Sequence, residues 1–211
     1  MAHMNHLDHL IERYPELDTI RQDIDMTFNI IIESFANGRK LLVAGNGGSA
    51  ADAEHIVSEL MKNFVKKRNH SNVFIDDLNC IDSEIAQYLI PRLQPALPAI
   101  TLSSHISLNT AAINDIDGNI IFAQQVYGYG KKDDVFLGIS TSGNAKNVLY
   151  AAVTAKAKKM KVIALTGSYG GALRQFADAC IAVPEVETYK IQELHLPVYH
   201  CLCLMLEEYF F

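Results

Sequence analysis

Lys40-Leu41-Leu42-Val43-Ala44-Gly45-Asn46-Gly47-Gly48-Ser49, residues 40–49, is the stretch that decides the fold. A short apolar run ends in a glycine turn, and a helical pattern opens near Ser49 and continues to about residue 65. A run this short, stopped by glycines, reads as a buried strand. Its change of period from the preceding segment marks a strand-turn-helix unit.

The unit recurs downstream. Ala99-Ile100-Thr101-Leu102 is a second strand. Asp134 to Ile139 is a third, followed by Ser140-Thr141-Ser142-Gly143-Asn144 and a helix over residues 145–159. Lys161 to Leu165 is a fourth, closed by Thr166-Gly167-Ser168-Tyr169-Gly170-Gly171, and Cys180 to Val183 is a fifth, ended by Pro184. A final helix is expected over residues 188–209. Short apolar strands alternating with helices specify a parallel sheet covered on both faces, an α/β three-layer sandwich. In such sheets ligands sit on the turns at the carboxyl ends of the strands.

Upstream, Ile11, Tyr14, Leu17, Ile20, Ile24, Phe28, Ile31 and Phe35 recur at helical steps over residues 7–37. Pro15 and Asp18 suggest two helices, with Asp18 as N-cap of the second, and Asn37-Gly38 ends it. Residues 66–98 break the alternation. They hold a basic run (Lys66-Lys67-Arg68), an apolar-acidic segment at 73–77, a short helix expected over 82–93, and Pro91, Pro95 and Pro98. We read them as an elaboration of one domain spanning residues 1–211.

Composition limits the function. The chain has 211 residues, 49% hydrophobic and 20% charged, which excludes a disordered chain. Lys+Arg 18 against Asp+Glu 24 gives a net charge of -6, a poor match to a nucleic-acid backbone. No apolar run is long enough to span a bilayer, and no basic-then-apolar leader opens the chain. Cys80, Cys180, Cys201 and Cys203 follow no zinc or redox spacing and read as thiols of a reduced cytoplasm.

Two turns carry the chemistry. In Gly45-Asn46-Gly47-Gly48-Ser49 the glycines admit an anion to the amides of a helix N-terminus, and Ser49 adds a hydroxyl. Gly45-x-Gly47-x-x-Ala50 also satisfies a dinucleotide fingerprint, but the nearest acids, Asp76 and Asp77, come too late and in the irregular stretch. Ser140-Thr141-Ser142-Gly143-Asn144 offers more hydroxyls than one cap needs, which suits a phosphate monoester. No Walker lysine follows the glycines. Together these features point to a small phosphorylated molecule.

Acid-base and metal candidates lie on two helices. His55 and Glu59 are spaced i, i+4 on one face of the helix that starts at the first turn. Glu59 is read as about two turns from the phosphate. The last helix places Gln192, Glu193, His195 and His200 among apolar residues. Gln192 and His200 stand eight residues apart, about 12 Å of helix rise. Donors to one metal lie about 2 Å from it. Either Gln192 lies at a frayed helix start, or the two residues of one site come from different subunits. The spacing favours an oligomer with composite sites.

These residues resemble the sugar isomerase (SIS) domain family and, within it, the phosphoheptose isomerases. The matching pieces are Gly45 to Ser49 with Asp52-Ala53, Asn114-Asp115, Ser140 to Asn144, Leu165-Thr166-Gly167, and Ile191-Gln192-Glu193-x-His195 with His200. The resemblance implies a flavodoxin-like five-stranded parallel sheet flanked by helices, in a homotetramer with sites at subunit interfaces. It implies isomerisation of sedoheptulose 7-phosphate to D-glycero-D-manno-heptose 7-phosphate through an enediol, with Glu59 as base and His200 as acid. Asn46, Gly47, Gly48, Ser49, Asn114, Asp115, Ser140, Thr141, Ser142, Asn144 and Gln192 would bind substrate. His55, Glu59, Gln192 and His200 match positions that bind zinc in some members. The chain departs from the pattern at Asn63, Ala145 and Tyr189 and in its longer segment 66–98, all around the substrate. The competing reading is a non-catalytic SIS protein that binds a phosphosugar or a replication-initiation partner. The replication-associated relatives lack the carboxylate and the second His, whereas this chain has Glu59 and His200.

Overall fold

The computed structural model describes residues 2–211. Its elements follow the order α1 (Ala2–Arg13), α2 (Arg21–Ala36), β1 (Leu41–Ala44), α3 (Gly48–Met61), α4 (Asn72–Ile81), α5 (Ser83–Leu89), β2 (Ala99–Thr101), α6 (Ile106–Asp115), α7 (Ile121–Tyr129), β3 (Val135–Ile139), α8 (Lys146–Ala157), β4 (Lys161–Gly167), β5 (Ala179–Val183) and α9 (Thr188–Phe210). The five strands pair in parallel in the order β2-β1-β3-β4-β5. The flavodoxin-like parallel sheet is therefore as expected.

Two cores flank the sheet because successive strand residues point to opposite faces. Leu41, Val43, Leu137, Ile163 and Ile181 face one core, closed by α1, α2, α3 and α9. Leu42, Ala44, Phe136, Val162 and Ala164 face the other, filled by Phe122 and Val126 of α7 and by Val148, Ala151, Ala152 and Ala155 of α8. Each fully buried Leu, Ile or Phe contributes about 1.5–3 kcal/mol, so both faces are held firmly.

Topology places the site. The chain leaves β1 for the β2 edge and returns on the other side to β3, so strand order reverses between β1 and β3. The turn after β1 and the turn after β3 flank that crevice, where α/β sheets bind ligands.

Several local expectations are corrected. Asp18 does not cap α2. A 3-10 turn over Pro15–Ile20 leads straight into it, Ile20 occupies the cap position without a side-chain bond, and Asp18 instead pairs with Arg21 (Oδ1 to Nε 2.9 Å). α3 stops at Met61, short of residue 65. Residues 66–98 contain two helices, α4 and α5, instead of one over 82–93. Ser71 caps α4 through Phe74 N and Asp82 caps α5 through Glu84 N and Ile85 N. None of the side chains of α4 is buried. Among the described residues, no helix is long and apolar enough to cross a membrane.

Candidate active site

The first turn is built for close approach. Asn46, Gly47 and Gly48 are exposed, while Ser49 is only 4% exposed at the start of α3. The Asn46 and Asn147 side chains exchange two hydrogen bonds of 2.9 Å, tying the β1 turn to the first turn of α8. Gln192 lies against Gly48, its Nε2 2.5 Å from where a Cβ on that glycine would sit.

The second turn is self-braced. Gly143 N donates to Ser140 O (2.9 Å), and Asn144 donates to Ser142 through its backbone N (to Oγ, 3.2 Å) and through Nδ2 (to O, 3.0 Å). Asn144 Oδ1 accepts from Ala172 N (3.0 Å), so this side chain is spent on holding the loop. Ser140 is buried, Thr141 half-buried and Ser142 exposed. A pocket of about 200 Å³ opens beside Thr141 and Ser142, with Gly167, Ser168 and Glu185 across from them. Asn114 and Asp115 end α6 and bond each other (2.8 Å). No hydrogen bond among the described residues ties them to either turn.

A second cluster forms further along α3, where it packs on α9. His55 Nε2 lies 3.3 Å from Glu59 Oε1, and Lys62 Nζ donates to Glu59 Oε2 at 2.9 Å. His55 Nδ1 meets Tyr199 Oη at 3.0 Å, and that hydroxyl donates to Asp52 Oδ1 at 3.3 Å. The His55 and His200 rings meet edge to face at 4.9 Å between centroids, and Phe64 closes the far side of His200 at 5.4 Å. His200 Nε2 is buried without a partner. Burial, helped by neighbouring His55 and opposed by Glu59, pushes the His200 imidazole below its usual value. Burial likewise raises Asp52, against the pull of Tyr199 and His55, and pushes the Tyr199 phenol up. His200 also borders a cavity of about 410 Å³ under α1, lined by His6, His9, Arg13, Pro197 and Cys201.

Two expectations change here. Ser49 and Glu59 stand ten residues apart on α3, about 15 Å of helix, which is nearly three turns. Gln192 is the fifth residue of a helix that runs unbroken through Pro197, so it does not lie at a frayed start. Gln192 meets the Gly48 end of α3 and His200 the His55 end. One chain therefore presents two separate groups: the hydroxyl turns with Gln192, and the cluster of His55, Glu59 and His200.

Sequence reasoning missed Tyr199 and Asn147. Tyr199 adjoins His200 in the sequence, and a hydroxyl inside so apolar a helix needs a partner.

As donors, two imidazoles, a carboxylate and an amide suit zinc. As arranged in one chain they do not fit it. Gln192 stands apart from the other three, and among the described residues no group of three or more His, Cys, Asp or Glu is placed to hold a metal.

The SIS domain family profile matches residues 84–167, from α5 to the end of β4. Fold, switch-point turns and profile together define a SIS-domain protein. Over 181 residues the chain is 40% identical to a phosphoheptose isomerase of Nitratiruptor sp., covering 86% of this chain and 83% of the relative. Over 189 residues it is 39% identical to a phosphoheptose isomerase of Thiobacillus denitrificans, covering 88% and 83%. Two solved phosphoheptose isomerases superpose on it. The one from Neisseria gonorrhoeae has a TM-score of 0.75 and 29% identity, covering 97% of this chain and 96% of the other. The one from Francisella tularensis has a TM-score of 0.74 and 32% identity, covering 97% and 95%. The chain belongs to the phosphoheptose isomerase family.

Proposed function

We propose that this protein interconverts sedoheptulose 7-phosphate and D-glycero-D-manno-heptose 7-phosphate. The observation that carries this reading is the meeting of His55, Glu59 and His200 where α3 packs on α9, in a chain that belongs to this family.

Ketose-to-aldose conversion moves one hydrogen between adjacent carbons and one between their oxygens. Glu59 takes a proton from C1 while His200 supplies one to the C2 carbonyl oxygen, giving the enediol. Glu59 then returns its proton to C2, and His200 takes the proton of the C1 hydroxyl. The protons balance and no redox partner is needed. The desolvated imidazole of His200 rests neutral near pH 7 and polarises the carbonyl by hydrogen bonding, while a carboxylate base works at the same carbons. Ser49, Ser140, Thr141 and Ser142 hold the phosphate on backbone amides and hydroxyls.

Ser49 and Glu59 lie about 15 Å apart along α3. Gln192 meets the Gly48 end of α3 and His200 the His55 end, which supports a site completed by a second copy. By family resemblance the active unit is a tetramer in which one copy contributes the turns and another the acid and base. Zinc, which the family resemblance implies, finds no fitting set among the described residues of one chain. No step above passes through it. Buried, unpaired thiols at Cys180, Cys201 and Cys203 agree with a cytoplasmic setting.

The test is direct. Incubation with sedoheptulose 7-phosphate yields an aldose phosphate, and Glu59→Gln abolishes turnover. A Glu59→Gln enzyme working at full speed would remove Glu59 from its role.

A further inference from the structure

The end of α3 is closed by a buried ion pair that the reaction steps do not use. The Arg68 and Glu207 side chains are each 1% exposed, with Nε 3.0 Å from Oε1. Arg68 spends its remaining donors on backbone carbonyls. One terminal nitrogen donates to Leu60 O (2.7 Å) and Pro95 O (3.1 Å), and the other to Glu59 O (3.0 Å). Glu207 accepts from the backbone amides of Phe64 (2.8 Å), Val65 (2.8 Å) and Lys66 (2.9 Å). Burial alone would raise the Glu207 carboxyl, but those amides and Arg68 outweigh it and hold the group below its usual range.

Burying two charges is costly, and well-packed apolar side chains would often stabilise as well. What apolar residues cannot do is fix a geometry. The guanidinium fork ties three places at once: backbone carbonyls in the last turn of α3 and in the segment returning to β2, and, through the Glu207 carboxylate, the end of α9. Glu59 is one of the residues whose carbonyl is clamped. Glu207 follows His200 by seven residues, two turns of the same helix face, or about 10 Å.

We propose that Arg68 and Glu207 are positioning residues, which fix the spacing and angle between the Glu59 carboxylate and the His200 imidazole. This rests on the assignment of Glu59 and His200 as base and acid. Proton transfer between carbons tolerates little misplacement, so a slack α3–α9 junction slows chemistry more than it weakens binding.

The experiment uses the full chain with Arg68→Met and Arg68→Lys, assayed on sedoheptulose 7-phosphate in deuterated water. The folded fraction is measured by near-ultraviolet circular dichroism. For Arg68→Met, kcat per folded chain falls tenfold or more while KM stays within about twofold. The ratio of deuterium taken up by recovered ketose to aldose formed rises, because the enediol forms but its oxygens are served badly. Arg68→Lys keeps a charge opposite Glu207 without the fork, and so recovers folding but only part of kcat. Parental kcat in folded Arg68→Met, or a loss that merely follows the folded fraction with an unchanged ratio, overturns the proposal. If Arg68→Met does not fold, the ratio in Arg68→Lys decides. Full-speed Glu59→Gln would sink the base assignment itself. A dead Glu59→Gln beside a full-speed Arg68→Met sinks the positioning role alone.

Discussion

His55 on α3 and His200 on α9 face each other edge to face, with ring centroids 4.9 Å apart, and Tyr199 packs edge-on against both at 5.5 and 5.0 Å. The contact fixes how the two helices lie. His55 is braced from behind by the Tyr199 hydroxyl, which is itself held by Asp52. The cluster of His55, Glu59 and His200 is thus a product of helix packing, and its integrity depends on residues at both ends of the α3–α9 seam.

Gly48→Ala tests the turn end of that seam. A Cβ there meets the Gln192 amide, the movable end of a long side chain, at 2.5 Å. Fold stability should change by less than about 1 kcal/mol, since alanine favours the helix. Activity should fall at least tenfold as the amide is pushed aside. An unchanged steady-state rate would show that Gln192 is not needed where it lies.

Gly143→Ala tests the second turn. Gly143 has φ +66°, and a Cβ would run into the backbone carbonyl of Gly170. Backbone strain and an immovable clash should together cost about 3 kcal/mol or more. Urea denaturation reads the loss as a lower midpoint. A midpoint equal to that of the parent would mean the turn adopts another conformation.

Stability should also depend on pH through His195. This side chain is 0% exposed and lies 3.2 Å from Thr166 O, and burial lowers its pKa from 6.5 to about 4. Between those values the unfolded chain binds a proton that the native chain refuses. The contribution is full above about pH 6.5 and is lost as pH falls toward 4, by about 3 kcal/mol at most. His195→Gln should flatten the difference in unfolding free energy between pH 7 and pH 5. An equally steep dependence in the variant would place the acid sensitivity elsewhere.

The proposed composite sites predict complementation. Glu59→Gln chains keep the hydroxyl turns, and Thr141→Val chains keep the acid and base. Each alone should be nearly inactive. Co-assembled in equal amounts, they should recover about a quarter of the parental rate by random pairing of halves. No recovery in hybrids confirmed by mass would mean that each site draws on a single copy.

Residues 40–49 and the turn at Ser140 to Asn144 were legible because their signals are local. A short apolar run stopped by glycine fits a buried strand and little else, and hydroxyls beside it mark a helix start. Asp18 misled for the same reason: its type suits a cap, but Pro15 began a 3-10 turn that carried the helix start past it. The two helices of segment 66–98 were only half visible, because α4 buries no side chain and so has no apolar face fixed against a core.

The sequence by itself settled strands, glycine turns and candidate chemical groups, since each depends on residues within a few positions of one another. Only the tertiary structure decided the strand order that brings the β1 and β3 turns together. It also decided the Tyr199–Asp52 brace behind His55, the His55–His200 contact and the Arg68–Glu207 closure. Those relations join residues far apart in the chain. The strand order arises from strand pairing and the others from how α3 and α9 pack against one face of the sheet, which no local preference encodes.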